Sequence, residues 1–278
     1  MNILFSPDIS SNYPNKGLKI SVNSIETALS RDELVLHYQP KIDLHTLDIL
    51  GFEALVRWKH PEYGLLMPND FLYRFEEVGL YYQLDQWVFR QAARDLNNFL
   101  IQKGYSVAVN MSPQSISETL FPCFIRNELD KYSANLYQKI EIEILECCKY
   151  RALKKIQENI KSCRKMGLRF SLDDFGTGCS SLSRLQCLSV DTIKVDRSFI
   201  CSEHYSQTEI GILKGVLMMC HEANLNTVVE GVETAQQFTF LRKLGYKQAQ
   251  GYKISKPITL EEVTDWANQW PNSMEPFL

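Results

Sequence analysis

Charge of either sign in excess is missing from this chain: 30 Lys and Arg stand against 33 Asp and Glu, a formal net charge of -3 over 278 residues. So balanced a surface offers no long-range attraction for polymeric nucleic acid or an anionic membrane, and a phosphate-rich ligand would have to be met by a local site. Long apolar runs are missing too. None approaches the ~20 residues of a membrane span, and the opening MNILFSPDISSNYPNKG has neither the basic start nor the apolar stretch of a secretion signal. Residues 1–20 read as a leader or linker, residues 21–278 as one domain, and the protein as a cytoplasmic one. The eight cysteines include no C-x-x-C, which argues for reduced thiols and against a zinc or disulfide framework. No G-x-G-x-x-G or G-x-x-x-x-G-K-S/T turn follows a candidate strand, so Rossmann and P-loop nucleotide sites have no support.

What is present is alternation. Val35–Ile42 and Ile49–Trp58 are strand-like and joined by a short polar turn, a hairpin pattern. A helical face follows over Leu84–Leu100 and stops at Gly104. Further strands are expected at Tyr105–Asn110, Lys139–Leu145, Leu168–Asp173, Thr192–Val195, Thr227–Glu230 and Gln248–Gly251. Helical stretches such as Ala152–Met166 and Glu209–Glu222 separate them, and Thr259-x-x-Glu262 forms a capping box for the last helix. Eight strands in this order favour an α/β fold with the sheet closed as a barrel.

Polar residues fall at the C-terminal ends of those strands: Glu53, Asn110, Glu143, Asp173, Asp174, Lys194, Glu230 and Gln250. One acidic residue there is ordinary helix-cap material. Many converging on one barrel face would repel one another unless cations compensate, and the adjacent pair in Ser171–Leu182, SLDDFGTGCSSL, sharpens the problem. Oxygen donors without Cys or His suit Mg²⁺ or Mn²⁺, and adjacent carboxylates suit a pair of ions ~3.5–4 Å apart, two per site, as in phosphoryl transfer.

The ordered string YQPKIDL, GFEALVRWKHPEYGLLMP, VNMSP, EIEILE, SLDDFGTGCSSL, DTIKVDRSFI, VVEGVET and QGYKISKP resembles the EAL-domain family of cyclic di-GMP phosphodiesterases over about residues 20–268. The resemblance implies a modified (β/α)8 TIM barrel with an antiparallel first strand, hydrolysis of cyclic di-GMP to linear pGpG, a homodimer, and a place in bacterial signalling. It also assigns roles. Glu53, Asn110, Glu143 and Asp173 would hold one metal; Asp173, Asp174 and Glu230 would serve the other. Lys194 would orient and help deprotonate the attacking water, with Glu53 and Glu230 also catalytic. Gln39, Leu55, Arg57 and Gln250 would meet the substrate, Glu146 would pin the DDFGTG loop and Glu233 would support Glu230. His60, Tyr63 and Trp270 read as packing residues.

Three positions depart from the family pattern: Leu145 replaces a usual Thr, Val229 a common Ala, and Cys179 a common Tyr or Asn. A missing hydroxyl at 145 would cost ~1–3 kcal/mol where its partner is left unsatisfied. A catalytically weak or silent cyclic di-GMP receptor or protein-interaction module is the competing reading. A sugar or glycerophosphodiester enzyme on a generic barrel fits the acidic face but leaves the ordered motifs unexplained.

Overall fold

The first strand of the barrel runs against its neighbours on both sides, and this reversal organises everything above it. The computed structural model describes residues 18, 20–145, 153–176, 181–201 and 205–270. Among them the strands are β1 Leu34–Asp43, β2 Ile49–His60, β3 Gly64–Leu66, β4 Ser106–Asn110, β5 Ile140–Leu145, β6 Arg169–Phe175, β7 Thr192–Val195, β8 Asn226–Val229, β9 Gln248–Gln250 and β10 Ile258–Thr259. The helices are α1 Val22–Ser30, α2 Pro68–Glu77, α3 Tyr81–Asp95, α4 Pro113–Ser117, α5 Phe121–Leu129, α6 Leu153–Lys165, α7 Ser181–Cys187, α8 Gln207–Glu222, α9 Ala235–Leu244 and α10 Leu260–Gln269. No described helix is long and apolar enough to cross a membrane.

Strand order β1-β9-β8-β7-β6-β5-β4-β2, with β2 paired back to β1, closes a ring of eight. β1 is antiparallel to both β2 and β9, while β2 and β4 to β9 pair in parallel. The expected modified (β/α)8 barrel is thus formed. The expected strands agree with the observed ones to within two residues at most ends. β3 and β10, of three and two residues, extend the ring's margins and are too short to leave a period in the sequence.

Side chains alternate between the inside of the barrel and its helix-covered outside. Outward residues such as Phe52, Val107, Val109, Ile142, Phe170, Leu172, Ile193 and Val195 are buried in one apolar cluster with Leu84, Val88, Phe89 and Ala92 of α3. Each such burial stabilises the fold by ~1.5–3 kcal/mol relative to an exposed side chain. The helix expected over Leu84–Leu100 is in fact α3 followed by a π turn at Leu96–Leu100 and a 3₁₀ turn at Ile101–Lys103, ended by Gly104 at φ 80. Apolar spacing alone does not distinguish a four-residue from a five-residue repeat over a single turn. Asp95 at that junction accepts from Tyr38 Oη of β1 at 2.5 Å, tying the helix to the reversed strand. His60 and Tyr63 stack at 4.6 Å and Trp270 donates to the Leu47 carbonyl at 2.7 Å, packing roles as expected.

Candidate active site

Inward positions at the C-terminal mouth bring the predicted polar residues together. Lys194 of β7, 2 % exposed, is ringed by four carboxylates. Its Nζ lies 2.7 Å from Glu143 Oε2 of β5, 2.7 Å from Glu230 Oε1 just past β8, 3.1 Å from Asp173 Oδ1 of β6 and 3.4 Å from Glu53 Oε2 of β2. Asn110 Nδ2 donates to Glu53 Oε1 at 2.7 Å, and Gln250 Nε2 donates to Glu53 Oε2 at 2.6 Å and to Gln39 Oε1 at 3.0 Å. Gln39 in turn donates to the Ser255 carbonyl at 3.1 Å. The antiparallel register of β1 and β2, which sets Gln39 opposite Glu53, is what makes this clasp possible.

Adjacent residues of a strand ordinarily face opposite sides. Asp173 and Asp174 escape this because the β6–β7 register shifts between Leu172 and Phe175 and Asp174 takes the left-handed conformation, φ 54. Asp is among the few residues with a side chain that tolerates this turn. The Asp174 amide donates to Asp173 Oδ1 at 3.1 Å, and oxygens of Asp173, Asp174 and Glu230 lie within 4.8 Å of one another.

One ammonium does not balance so many carboxyls. Burial, then the neighbouring Glu53 carboxylate, pushes Glu143 well above the ordinary range; burial raises Asp173 as well, with Lys194 opposing. Burial and Asp173 lift Asp174 to about 7 and Glu230 to about 8. Burial acts the same way on Glu53, but Lys194, Gln250 and Asn110 outweigh it and hold this carboxyl low. Lys194 is desolvated, yet its four acidic neighbours raise it well above the usual lysine value. Burial and mutual repulsion thus favour the neutral form of several of these carboxyls, and their hard oxygen donors fit Mg²⁺ or Mn²⁺, which would offset the repulsion.

Other predicted residues sit farther out. Arg57, buried on β2, donates from Nη1 to the Val56 carbonyl at 2.8 Å, and Leu55 beside it is half-buried. Glu233 is exposed; its backbone amide donates to Gln237 Oε1 at 2.8 Å, with no hydrogen bond from its carboxylate to Glu230 among the described residues. Glu146, Cys179 with the rest of residues 177–180, and most of residues 1–20 lie outside the described residues. The sequence reading passed over Tyr252, 60 % exposed beyond Gln250 with Lys256 Nζ 5.8 Å from its ring centroid. An aromatic two residues past a strand-end amide was the available signal.

The fold and this site define a TIM-like barrel with a cluster of acidic side chains gathered around one lysine at the strand ends. The chain belongs to the EAL domain family, whose model matches residues 22–257. The cyclic di-GMP phosphodiesterase NbdA of Pseudomonas aeruginosa is 36% identical over 256 residues, 91% of this chain and 33% of NbdA. An EAL domain protein of Listeria monocytogenes superposes with TM-score 0.80 at 29% identity, covering 89% of this chain and 98% of that one. The MucR phosphodiesterase of Pseudomonas aeruginosa, solved with c-di-GMP, gives TM-score 0.79 at 33% identity over 87% of this chain and 98% of its own. The chain spans about a third of the length of the curated relatives it matches, 30%, 35% and 33% for three of them.

Proposed function

We propose that residues 21–278 form a phosphodiesterase domain that hydrolyses cyclic di-GMP to linear pGpG in the cytoplasm. The observation that carries this reading is the ring of Glu53, Glu143, Asp173 and Glu230 around Lys194, at 2.7 to 3.4 Å, on an EAL chain. Glu53, Asn110, Glu143 and Asp173 would hold one Mg²⁺ or Mn²⁺ and Asp173, Asp174 and Glu230 a second. Bound there, the pair would lower the pKa of water and offset charge on the phosphodiester. Lys194, an ammonium in this setting, has no lone pair to take a proton; it orients the water oxygen, and Glu230, with the more open side chain of the ring's partners, receives the proton. Gln39, Leu55, Arg57 and Gln250 line the approach for the dinucleotide, the arginine fork matching a phosphate.

We assign a homodimer as the working form. The 16-residue α8 buries Leu213 and Cys220 yet leaves Ile212 and Met218 45 % and 68 % exposed, apolar side chains that a second copy would cover. Sedimentation of wild type and Met218→Glu tests this, with a monomeric wild type refuting it.

The central test is incubation of the purified chain with cyclic di-GMP and Mn²⁺ beside Glu53→Ala, with nucleotides resolved by chromatography. Metal-dependent pGpG from the wild type alone supports the reading. Intact cyclic di-GMP that nevertheless binds would make the chain a receptor, the outcome that Leu145 in place of the family's Thr favours.

A further inference from the structure

The opposite mouth of the barrel carries a second polar assembly that the reaction above does not use. The first residues of the parallel strands meet the reversed β1 there: Glu141 pairs in register with Arg169, Ser171 with Thr192 and Thr192 with Asn226. Glu141, Arg169, Thr192 and Asn226 line a cavity of about 300 Å³, the size of a small-molecule site. Lys41, Lys139 and Arg169 line it against the single carboxylate of Glu141.

This is more than a solvated rim. Glu141 is 3 % exposed and Lys41 8 %. They form a buried ion pair at 3.0 Å through Oε2, while Glu141 Oε1 is buried without a partner among the described residues. Arg169 Nε is likewise buried and unpartnered. Burial alone would raise the Glu141 carboxyl, but Lys41, then a hydrogen bond from the Thr192 hydroxyl and, more weakly, Arg169 bring it below the ordinary value, so its oxygens accept and do not donate. Leaving one donor and one acceptor desolvated costs ~1–3 kcal/mol each.

Once Lys41 and Glu141 cancel, Lys139 and Arg169 leave two positive charges. The occupant that answers both the charge and the orphaned atoms is an anion with acceptor oxygens for the guanidinium and an O–H for Glu141. A carboxylate or sulfate lacks the O–H. Hydrogenphosphate has both, and a phosphate monoester on a sugar adds further hydroxyls. We infer that the N-terminal mouth of this barrel is a binding site for a small phosphate-bearing anion, separate from the acidic mouth and held by Arg169, Lys139 and the free oxygen of Glu141. This mouth would hold its anion whatever ligand the acidic mouth takes.

The test is calorimetric titration of the full chain, kept metal-free by a chelator so that the acidic mouth repels anions, with inorganic phosphate, ribose 5-phosphate and sulfate. Saturable binding of a phosphate species is expected, with sulfate at least about tenfold weaker and Arg169→Met and Lys139→Met each lowering affinity about tenfold or more, one charge-assisted hydrogen bond's worth. Tighter binding of ribose 5-phosphate would identify a monoester as the occupant, tighter binding of phosphate the free ion. Lys139 is half-buried at the rim, so its variant keeps the test readable where Arg169→Met fails to fold. Absence of saturable phosphate binding to the wild type, equal affinity for sulfate, or affinity unchanged in a folded Lys139→Met would overturn the inference.

Discussion

Lys194 Nζ donates to Glu143 Oε2 at 2.7 Å between two residues that are each 2 % exposed. An ammonium so buried is fixed by its anions and fixes them in return.

Replacing Lys194 by Met should therefore act on stability as well as on turnover. Removing one partner of a buried charge network costs ~3–5 kcal/mol. Part of that loss should return on adding Mn²⁺, which offers the same carboxylates another cation. Thermal unfolding of the variant with and without Mn²⁺ checks this; a metal-free melting point equal to wild type would contradict it.

The acidic ring also sets a pH dependence. Asp174 at about 7 and Glu230 at about 8 are both raised over an unfolded carboxyl. For a raised group, the stabilising contribution is fully present below the unfolded value near ~4 and is lost as pH rises through the folded one. The melting point of metal-free protein should then fall as pH rises from ~4 to about 8, the higher of the two folded values, and level off beyond it. Mn²⁺ affinity should rise over the same interval, with protons released on binding. Calorimetry in buffers of different ionisation enthalpy measures the release, and a metal affinity independent of pH would refute the linkage.

Gly251 should be less replaceable than Gly104. A Cβ at 251 would sit 2.2 Å from the Val232 amide nitrogen and 2.3 Å from its carbonyl oxygen, whereas one at 104 meets nothing within 4 Å. Gly104→Ala pays only for its φ of 80, ~1 kcal/mol. Gly251→Ala must push backbone aside, and the shift passes to Gln250, which holds Glu53; a loss of ~2–4 kcal/mol is expected. Chemical denaturation of the two variants compares them directly, and equal losses would sink the argument.

Leu145 ends β5 in register with Asp173. Leu145→Thr would supply a hydroxyl at the mouth and should raise turnover by roughly tenfold, the worth of a hydrogen bond of ~1.4 kcal/mol. Steady-state kinetics on cyclic di-GMP decides it, and a kcat at or below wild type would show that the hydroxyl is not what limits this chain.

Six of the eight barrel strands were legible from β-branched residues bounded by polar turns, whereas β6 (RFSLDDF) and β9 (QAQ) have none and were legible from their place in the strand–helix alternation; the acidic mouth was legible because its members are strand-end residues. The sharing of one side by Asp173 and Asp174 was not, since a register shift and a left-handed φ depend on how β6 meets β7. Nor was the opposite mouth. Lys41, Glu141 and Arg169 are isolated charges inside otherwise apolar strands, and only closure of the ring reveals that they share a cavity. The helix α1 was absorbed into the chain's start: its Ser21 cap and its buried Ile25 and Ala28 give too few turns for a period.

With charged and amide groups filling the inside of the ring, its oily material is displaced outward. Ala108 and Val228 are buried inside yet stand apart from the apolar cluster that joins strands to helices. The protein is thus built like a sleeve, a water-averse wall around a polar bore with a chemical task at one opening and an electrostatic one at the other. In such a wall, the apolar contacts that hold the tube round lie outside the bore, so the side chains facing its two openings answer chiefly to one another.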